Sequence, residues 1–281
     1  MTASPKKSGG NSAAQRVDSD SGRGGNTGAA LSVARKDGSV YRRVNGSDAK
    51  GGLVQKTAIV TGAARGIGRG TADRLEAQGW RVARLDVEAG EGIVVCDVSD
   101  EASVAHAFEG LADVIASGLG LLVNNAGIAH PYGGPVEDLA LADWNRWIGT
   151  NLTGAFLMTR AAVPHLRRGR GSVVNISSTR ALMSEPGSEA YVSSKAGLIG
   201  LTHALAVSLA PDVRANAVAP GWIVTQDIEL TGEDHAQHPA GRAGTVGDVA
   251  EAVAYLATAG FVTGEVIVLD GGSTRKMIYA E

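Results

Sequence analysis

The sequence predicts an α/β fold: a single doubly wound, parallel seven-stranded sheet with helices on both faces, preceded by a disordered N-terminal tail. Three observations support this prediction. From residue 56 onward, short apolar runs alternate with longer segments of helical periodicity, which is typical of a parallel sheet covered on both faces. Residues 1–52 lack such periodicity. Glycine-rich or polar motifs follow several apolar runs, where a doubly wound sheet forms its ligand crevice.

The 281 residues divide by composition into a tail, residues 1–52, and one domain, residues 53–281. The Gly/Ser-rich tail has nine basic and four acidic residues, so its net charge is +5 and that of the domain is −8. We predict that the tail is disordered, because it has little apolar surface to bury. A transit peptide, a basic arm that binds RNA or acidic partners, and an extension without function remain open. The four aspartates argue against the first, and we favour the last.

Cysteine content, charge and hydropathy exclude several classes of protein. The single cysteine, Cys96, excludes an intramolecular disulfide and two-cysteine metal spacings. No apolar run approaches the roughly 18 residues that a membrane helix needs, and the N-terminus lacks the apolar core of a signal peptide. A net charge of −3 argues against nucleic-acid binding, and the six histidines show no metal-ligand spacing. We therefore predict a cytoplasmic protein without metal, nucleic-acid or membrane partners.

Local patterns justify each element of the domain. The strands are short apolar runs rich in β-branched residues, and the helices repeat apolar residues at helical spacing. The first helix ends before Gly79, a typical helix terminator. The predicted strands are 57–60, 81–85, 93–95, 121–123, 172–176, 213–218 and 265–269. The predicted helices are 69–78, 101–115, 141–166 with a break near Asn151, 191–210 and 247–258.

A glycine-rich turn joins the first strand to the first helix, in Thr61-Gly62-Ala63-Ala64-Arg65-Gly66-Ile67-Gly68. Its three glycines let the chain turn tightly and let a pyrophosphate approach the helix N-terminus, where free N–H groups and the helix dipole favour negative charge. An ordinary tight turn is the structural alternative. We interpret the segment as a dinucleotide-binding loop formed by Gly62, Arg65, Gly66, Ile67 and Gly68.

Tyr191 and Lys195 lie four residues apart in a predicted helix and therefore share one face. A tyrosine that acts as a base near pH 7 needs its pKa lowered by about three units, and a neighbouring ammonium group lowers it. Ser178 lies at the end of a strand, where its hydroxyl can hold a substrate oxygen, and periodicity alone does not distinguish it from Ser177. Asn151 marks the predicted helix break, for which a kink without catalytic meaning is the alternative.

These motifs resemble those of the classical short-chain dehydrogenase/reductase family over about residues 54–272. The resemblance implies a Rossmann-like fold and hydride transfer between a secondary alcohol, or its ketone, and a nicotinamide cofactor. It implies that Tyr191 exchanges the hydroxyl proton beside Lys195, and that Ser178, 13 residues before it, steadies the oxygen. Asn151 would organise a water joined to the lysine.

The same resemblance implies further cofactor contacts along the sheet edge. The Asp-Val pair after the third strand would hold the adenine, the Asn-Asn-Ala-Gly segment the adenosine ribose, and the segment after the sixth strand the nicotinamide. The short link between Asp86 and Cys96 leaves no room for the usual intervening helix, which departs from the family pattern. The implied cofactor residues are Asp97, Val98, Asn124, Asn125, Ala126, Gly127, Pro220, Gly221, Ile223 and Thr225, together with Tyr191 and Lys195.

Asp86 and Arg65 give opposite indications about the cofactor. Asp86 ends the second strand about 20 residues after the glycine turn, where a carboxylate accepts hydrogen bonds from ribose hydroxyls and repels a 2′-phosphate. Arg65 precedes the last glycines, a position that is basic in NADP-binding members of the family. We give Asp86 the greater weight, because an exposed arginine can turn away. NAD is therefore the predicted cofactor and NADP the alternative.

The expected substrate loops carry both polar and apolar side chains. They include His130, Met183, Glu185 and Trp222, and this mixture favours a polyol, sugar or small hydroxy compound as substrate. The apolar C-terminal segment 275–281 and the family habit of pairing helices predict a homo-oligomer, either a dimer or a tetramer. An NADP-dependent carbonyl reductase, an epimerase or dehydratase, and a non-catalytic NAD-binding module are the alternatives. The presence of Ser178, Tyr191 and Lys195 argues against the last.

Overall fold

The computed structural model describes residues 56–277, so the predicted tail, the predicted boundary at residue 52 and the last four residues lie outside the described part. The strands are β1 (Thr57–Thr61), β2 (Arg81–Asp86), β3 (Ile93–Val95), β4 (Leu121–Asn124), β5 (Ser172–Ile176), β6 (Arg214–Pro220), β7 (Ile223–Val224), β8 (Gly244–Thr245) and β9 (Val266–Leu269). The helices are α1 (Gly66–Ala77), α2 (Glu101–Gly110), α3 (Leu141–Ile148), α4 (Gly154–Gly169), α5 (Glu189–Ser208), α6 (Gly232–Ala236) and α7 (Val246–Thr258).

Seven of the strands form one parallel sheet in the order β3-β2-β1-β4-β5-β6-β9, which confirms the predicted doubly wound fold. The strand order reverses between β1 and β4, because the chain crosses there from one half of the sheet to the other. Ligands of open α/β sheets bind at the carboxyl ends of the strands beside such a reversal. The fold therefore places a binding crevice at the ends of β1 and β4.

The core has two parts, one on each face of the sheet. Alternate residues of β1 separate them: Ile59 belongs to the cluster that includes residues of α2 and α4, and Val60 to the cluster that includes residues of α1 and α7. Both side chains are fully buried. The near-continuous apolar composition of the strands thus follows from a sheet that is buried on both sides.

Most element boundaries lie within three residues of the predicted ones, and the larger departures concern α2, the predicted helix break and three short elements. Helix α2 ends at Gly110 instead of residue 115, and turns follow it, although Ile115 remains in the core. The predicted break near Asn151 is a π-helical segment, Gly149–Thr153, between α3 and α4. The short helix α6 and the two-stranded parallel pair of β7 and β8 were not predicted, because five-residue and two-residue elements are too short to show periodicity.

Within residues 56–277, no helix is both long and apolar enough to cross a bilayer.

Candidate active site

A cavity of about 300 Å³ opens at the carboxyl ends of β1, β4, β5 and β6. Its walls come from the glycine turn, the segment after β4, the end of β5, helix α5 and the segment after β6. No aspartate or glutamate lines it. The lining residues are Ile67, Asn125, Gly127, Ile128, Ala129, Ile176, Ser177, Ser178, Tyr191, Lys195, Pro220, Gly221, Trp222, Ile223 and Thr225.

The glycine turn is packed too closely for side chains. Gly62 and Gly66 have left-handed backbones, with φ of +64° and +53°. A Cβ atom on Gly68 would lie 2.0 Å from the Gly62 carbonyl oxygen, and one on Gly62 would lie 2.8 Å from the Ala126 Cα. Asn125 Nδ2 donates to the carbonyl oxygens of Thr61 and Gly62, at 2.9 and 3.0 Å. The turn is thus tied directly to the end of β4.

Thr61 joins the two halves of the sheet at the point of strand reversal. Its hydroxyl donates to the Val123 carbonyl oxygen at 3.2 Å and accepts the backbone N–H groups of Asn125 and Ala126, both at 3.0 Å. One buried side chain therefore makes three hydrogen bonds across the crevice.

Helix α1 offers a donor set suited to an anion. Arg65, at its N-cap, makes no side-chain capping bond, and the first turn contains no acidic residue. The first N–H groups of a helix have no partner within the helix, and the helix dipole adds positive potential there. A pyrophosphate fits this position because uncapped N–H groups meet there with a turn in which Gly62, Gly66 and Gly68 carry no side chain.

Two acidic residues lie beside the glycine turn, one at the end of β2 and one just after it. Asp86 accepts the Ala64 N–H at 2.9 Å on one carboxylate oxygen and the Glu88 N–H at 3.1 Å on the other. Arg65 Nη1 lies 2.6 Å from Glu88 Oε1, in an exposed ion pair. The Asp86 carboxylate is thus held at the turn, and Arg65 is paired with an acid that the sequence prediction did not include.

The structure brings Tyr191, Lys195 and Ser178 together at the cavity. Tyr191 and Lys195 are buried on one face of α5, and Lys195 Nζ lies 5.8 Å from the centre of the Tyr191 ring. The pKa of the Tyr191 hydroxyl lies above its usual value, opposite to the predicted lowering, because burial raises it by more than the nearby Ser178 hydroxyl and the positive charge of Arg180 lower it. Burial also lowers the pKa of Lys195 to about 8. Lys195 Nζ donates to the Ile176 carbonyl oxygen at 2.9 Å.

Asn151 lies behind these residues and is fully buried in the π-helical segment. Its Oδ1 accepts the Ile128 N–H at 2.7 Å, and its Nδ2 donates to Ser194 Oγ at 3.0 Å. Ser194 in turn donates to the Tyr191 carbonyl oxygen at 2.7 Å. The π-helical segment thus links the loop after β4 to α5, which makes Ser194 a positioning residue that the sequence prediction did not include.

Three other predicted cofactor residues, Asn124, Asp97 and Val98, lie in different environments. The Asn124 side chain lies in the core, where it donates to Asn175 Oδ1 at 2.8 Å, and Asn124 does not line the cavity. Asp97 is exposed and accepts the hydroxyl and N–H of Ser99. Val98 is buried against Gly154, where an added Cβ would lie 2.7 Å from Val98 Cγ2.

Of the four predicted substrate residues, only Trp222 lines the cavity. His130 and Met183 are exposed outside it, and His130 contributes its carbonyl oxygen to Trp147 Nε1 at 3.1 Å. Glu185 is paired with Arg180 at 2.7 Å. Glu185, which the sequence placed in a substrate loop, therefore binds the guanidinium of Arg180 and does not line the cavity.

Several known proteins are similar to this chain over most of its length. The profile of a family described as Enoyl-(Acyl carrier protein) reductase matches residues 62–274. An uncharacterized oxidoreductase of Thermotoga maritima is 39% identical over 258 residues, covering 82% of this chain and 100% of that protein. A 3-alpha-(or 20-beta)-hydroxysteroid dehydrogenase of Mycobacterium tuberculosis is 37% identical over 244 residues, covering 82% and 93%.

The chain belongs to the short-chain dehydrogenase/reductase family. Two solved structures of this family resemble it closely. Ligand-free aldohexose dehydrogenase of Thermoplasma acidophilum has a TM-score of 0.74 at 34% identity and covers 81% of this chain and 97% of its own. The 3-ketoacyl-(acyl-carrier-protein) reductase of Brucella melitensis, complexed with NADH, has a TM-score of 0.71 at 32% identity, covering 78% and 98%.

Membership in the short-chain dehydrogenase/reductase family makes this chain an oxidoreductase that acts on an alcohol or carbonyl group with a nicotinamide cofactor. The cavity geometry fits such a cofactor. At Gly127 a Cβ would lie 3.0 Å from Asn151 Oδ1 and 3.5 Å from Lys195 Nζ, so a side chain there would crowd both groups and narrow the cavity that Gly127 lines. Pro220, Ile223 and Thr225 line the opposite wall.

Proposed function

We propose that this protein is an NAD-dependent dehydrogenase that interconverts a secondary alcohol and its ketone, with Tyr191 as the acid/base. The observation that carries the proposal is that Tyr191, Ser178 and the buried Lys195 line the same cavity, with Lys195 Nζ 5.8 Å from the centre of the Tyr191 ring. A base, an ammonium group and a second hydroxyl around one cavity are the groups that proton transfer at a carbinol needs.

In the proposed mechanism, Ser178 holds the substrate oxygen and Tyr191 removes or returns its proton. The buried Lys195 ammonium favours the ionised tyrosine, because an opposite charge in a poorly solvated site stabilises the phenolate. Asn151 and Ser194 hold α5 against the loop after β4 and so fix the direction of the tyrosine. The nicotinamide cofactor supplies the hydride donor or acceptor when bound.

The cofactor preference is proposed to be NAD over NADP. Asp86 places a carboxylate beside the glycine turn, where it would repel a 2′-phosphate. Arg65 supports NADP by position, but its ion pair with Glu88 opposes that role. An NADP-dependent carbonyl reductase is therefore the second candidate. It would require the ion pair between Arg65 and Glu88 to be weak enough for Arg65 to bind a 2′-phosphate.

The substrate is proposed to be a polyol, sugar or small hydroxy compound. Relatives support this range: aldohexose dehydrogenase is named for a sugar, and a relative of Sinomonas cyclohexanicum, 37% identical over 245 residues, for cis-4-hydroxycyclohexanecarboxylate. We also propose that the protein is cytoplasmic, which the buried free thiol of Cys96 supports. We further propose that it is a homo-oligomer, which the 71% exposure of the apolar residue Met277 supports. Light scattering that detects only a monomer at micromolar concentration would contradict the oligomer.

The catalytic proposal is tested with Tyr191→Phe. A panel of sugars, polyols, cyclic alcohols and hydroxy acids is screened by NADH absorbance, and the best substrate is then used with the variant. We expect kcat to fall at least about 100-fold, since proton transfer is lost, while NADH affinity is kept. Tyr255→Phe on the exposed face of α7 is the matched control. Retained activity in Tyr191→Phe would exclude the proposed role.

The cofactor preference is tested by fluorescence titration with NADH and NADPH. We expect wild type to bind NADH more tightly than NADPH, and Asp86→Ala to reduce the difference between the two affinities. Glu88→Gln should release Arg65 and so raise the affinity for NADPH a few-fold, which is the effect typical of losing an exposed ion pair. The double variant Arg65→Met/Glu88→Gln should not show this increase in NADPH affinity. Tighter NADPH binding by wild type would establish the second candidate.

A further inference from the structure

Arg180 lies beside the proposed acid/base and has a guanidinium nitrogen without a partner. It belongs to a 3₁₀ turn, Thr179–Ala181, directly after Ser178, and its backbone N–H donates to Ser178 Oγ at 3.1 Å. Within residues 56–277, its buried Nη1 has no hydrogen-bond partner. A buried donor without a partner is unfavourable, so this position is suited to an acceptor that the free chain does not supply.

The partner that Arg180 does have is easily displaced. Arg180 Nη2 lies 2.7 Å from Glu185 Oε1, but the arginine side chain is 25% exposed and the glutamate 68%. Glu185 therefore covers the guanidinium from the solvent side. Exposed carboxylates of this kind contribute little to stability, and another carboxylate can take the same place without a large change in charge.

The charges around the cavity favour a negative substrate group. No acidic residue lines the cavity, and the Nζ of Lys195, its one lining cation, already donates to a carbonyl oxygen. The positive charge of Arg180 reaches the Tyr191 hydroxyl, whose pKa it lowers. The Arg180 side chain is not among the lining residues, but Arg180 directly follows Ser178, which lines the cavity and accepts the Arg180 N–H, so an anion that displaced Glu185 would lie at the edge of the cavity.

Hydrogen bonds hold the segment that carries the ion pair. The Leu182 N–H donates to the Thr179 carbonyl oxygen at 2.8 Å, and Ser188 Oγ to that of Glu185 at 2.5 Å. The Gly133 N–H donates to the Gly187 carbonyl oxygen at 2.7 Å, which attaches the segment to the loop after β4. The backbone is therefore fixed, and the Glu185 side chain is the part that can turn into solvent.

We propose that Arg180 binds a carboxylate of the substrate, and that Glu185 occupies the guanidinium when no substrate is bound. A carboxylate suits this site because the planar guanidinium can offer it two N–H groups, from Nη1 and Nη2. The inference rests on the proposed function and narrows it: the substrate is a secondary hydroxy acid, or the corresponding keto acid.

The test compares acids with their uncharged esters. Protein saturated with NADH is titrated calorimetrically with 3-hydroxybutyrate, 4-hydroxypentanoate and 5-hydroxyhexanoate, and with their methyl esters. These alcohols cannot react with NADH, so binding is measured without turnover. We expect at least one acid to bind roughly 10- to 100-fold more tightly than its ester, the effect of a charged hydrogen bond.

Variants assign the preference to Arg180. Arg180→Met should bring the acid-to-ester affinity ratio to about one, and Glu185→Gln should raise the ratio by removing the competing carboxylate. Arg167→Met, on the exposed end of α4, should leave the ratio unchanged. Glu185→Gln keeps Arg180 in place, so it remains informative if Arg180→Met fails to fold.

Two results would overturn the inference: no acid in the series binds more tightly than its ester, or Arg180→Met keeps the wild-type ratio. Both can be distinguished from failure of the proposed function. Turnover of uncharged secondary alcohols that disappears in Tyr191→Phe would uphold the dehydrogenase even if the acid preference were absent.

Discussion

Replacing Lys195 with methionine is expected to stabilise the protein while removing its activity. The lysine is buried, and burial lowers the pKa of its ammonium group from 10.5 to about 8. That difference corresponds to about 3 kcal/mol of unfavourable free energy for the charged form in the fold. Lys195→Met removes this unfavourable free energy, but it also loses one hydrogen bond to the Ile176 carbonyl, which contributes about 1 kcal/mol.

The net expectation at pH 7 is a gain of about 2 kcal/mol in the free energy of unfolding, or a rise of roughly 4–8 °C in Tm. The pH dependence has a definite sign. Between about pH 8 and 10.5 the unfolded chain binds more protons at Lys195 than the folded chain does, so wild type gains stability as pH rises through this window. The variant lacks this gain, so its advantage of about 2 kcal/mol should disappear at about pH 9.5, and wild type should be the more stable by about 1 kcal/mol at pH 10.5.

Thermal or urea unfolding without cofactor, at several pH values from 7 to 10.5, measures both effects. Lys56→Met is the matched control, because Lys56 Nζ also donates to a main-chain carbonyl, that of Gln78 at 2.9 Å, but does so in solvent. The control should not be stabilised. A less stable Lys195→Met at pH 7, or an advantage independent of pH, would refute the reasoning.

Two further predictions concern the glycine turn and helix α7. Gly68→Ala should abolish NADH binding in a fluorescence titration, because its Cβ would lie 2.0 Å from the Gly62 carbonyl oxygen; Gly110→Ala, with nothing within 4 Å, should bind NADH normally. Asp248→Ala should lower the free energy of unfolding by about 1–2 kcal/mol, since it removes the α7 capping box and the 2.7 Å ion pair with Arg242. Arg242 holds the Asp248 pKa well below its usual value, so this contribution is present above the pKa of an ordinary carboxyl and is lost progressively as the pH falls below it; the difference in free energy of unfolding between wild type and variant should therefore be smaller at pH 3 than at pH 7.

The sequence predicted the sheet and the groups around Tyr191 because both depend on short-range patterns. Alternating apolar runs specify strands buried on both faces, and Tyr191 and Lys195 share a helical face by their spacing. Their arrival beside Ser178 then follows from strand order, since β5 ends at the same edge as its neighbours.

Contacts between loops could not be predicted in the same way. Arg65 and Glu88 lie 23 residues apart, and neither spacing nor composition marks them as a pair. Glu185 was predicted to bind substrate hydroxyls, but its pairing with Arg180 depends on how the chain turns after β5. Ser194 lies between Tyr191 and Lys195 in the sequence, so its position offered a signal, but its bond to Asn151 requires the π-helical segment.

The three hydrogen bonds of Thr61 have a consequence for the entropy of cofactor binding. They fasten the ends of β1 and β4 to each other within the folded chain, so the two walls of the crevice do not have to find their positions when a dinucleotide arrives. The entropy of ordering those walls is lost once, during folding, and not again at each turnover. Cofactor binding at these strand ends therefore does not carry the entropic cost of ordering them.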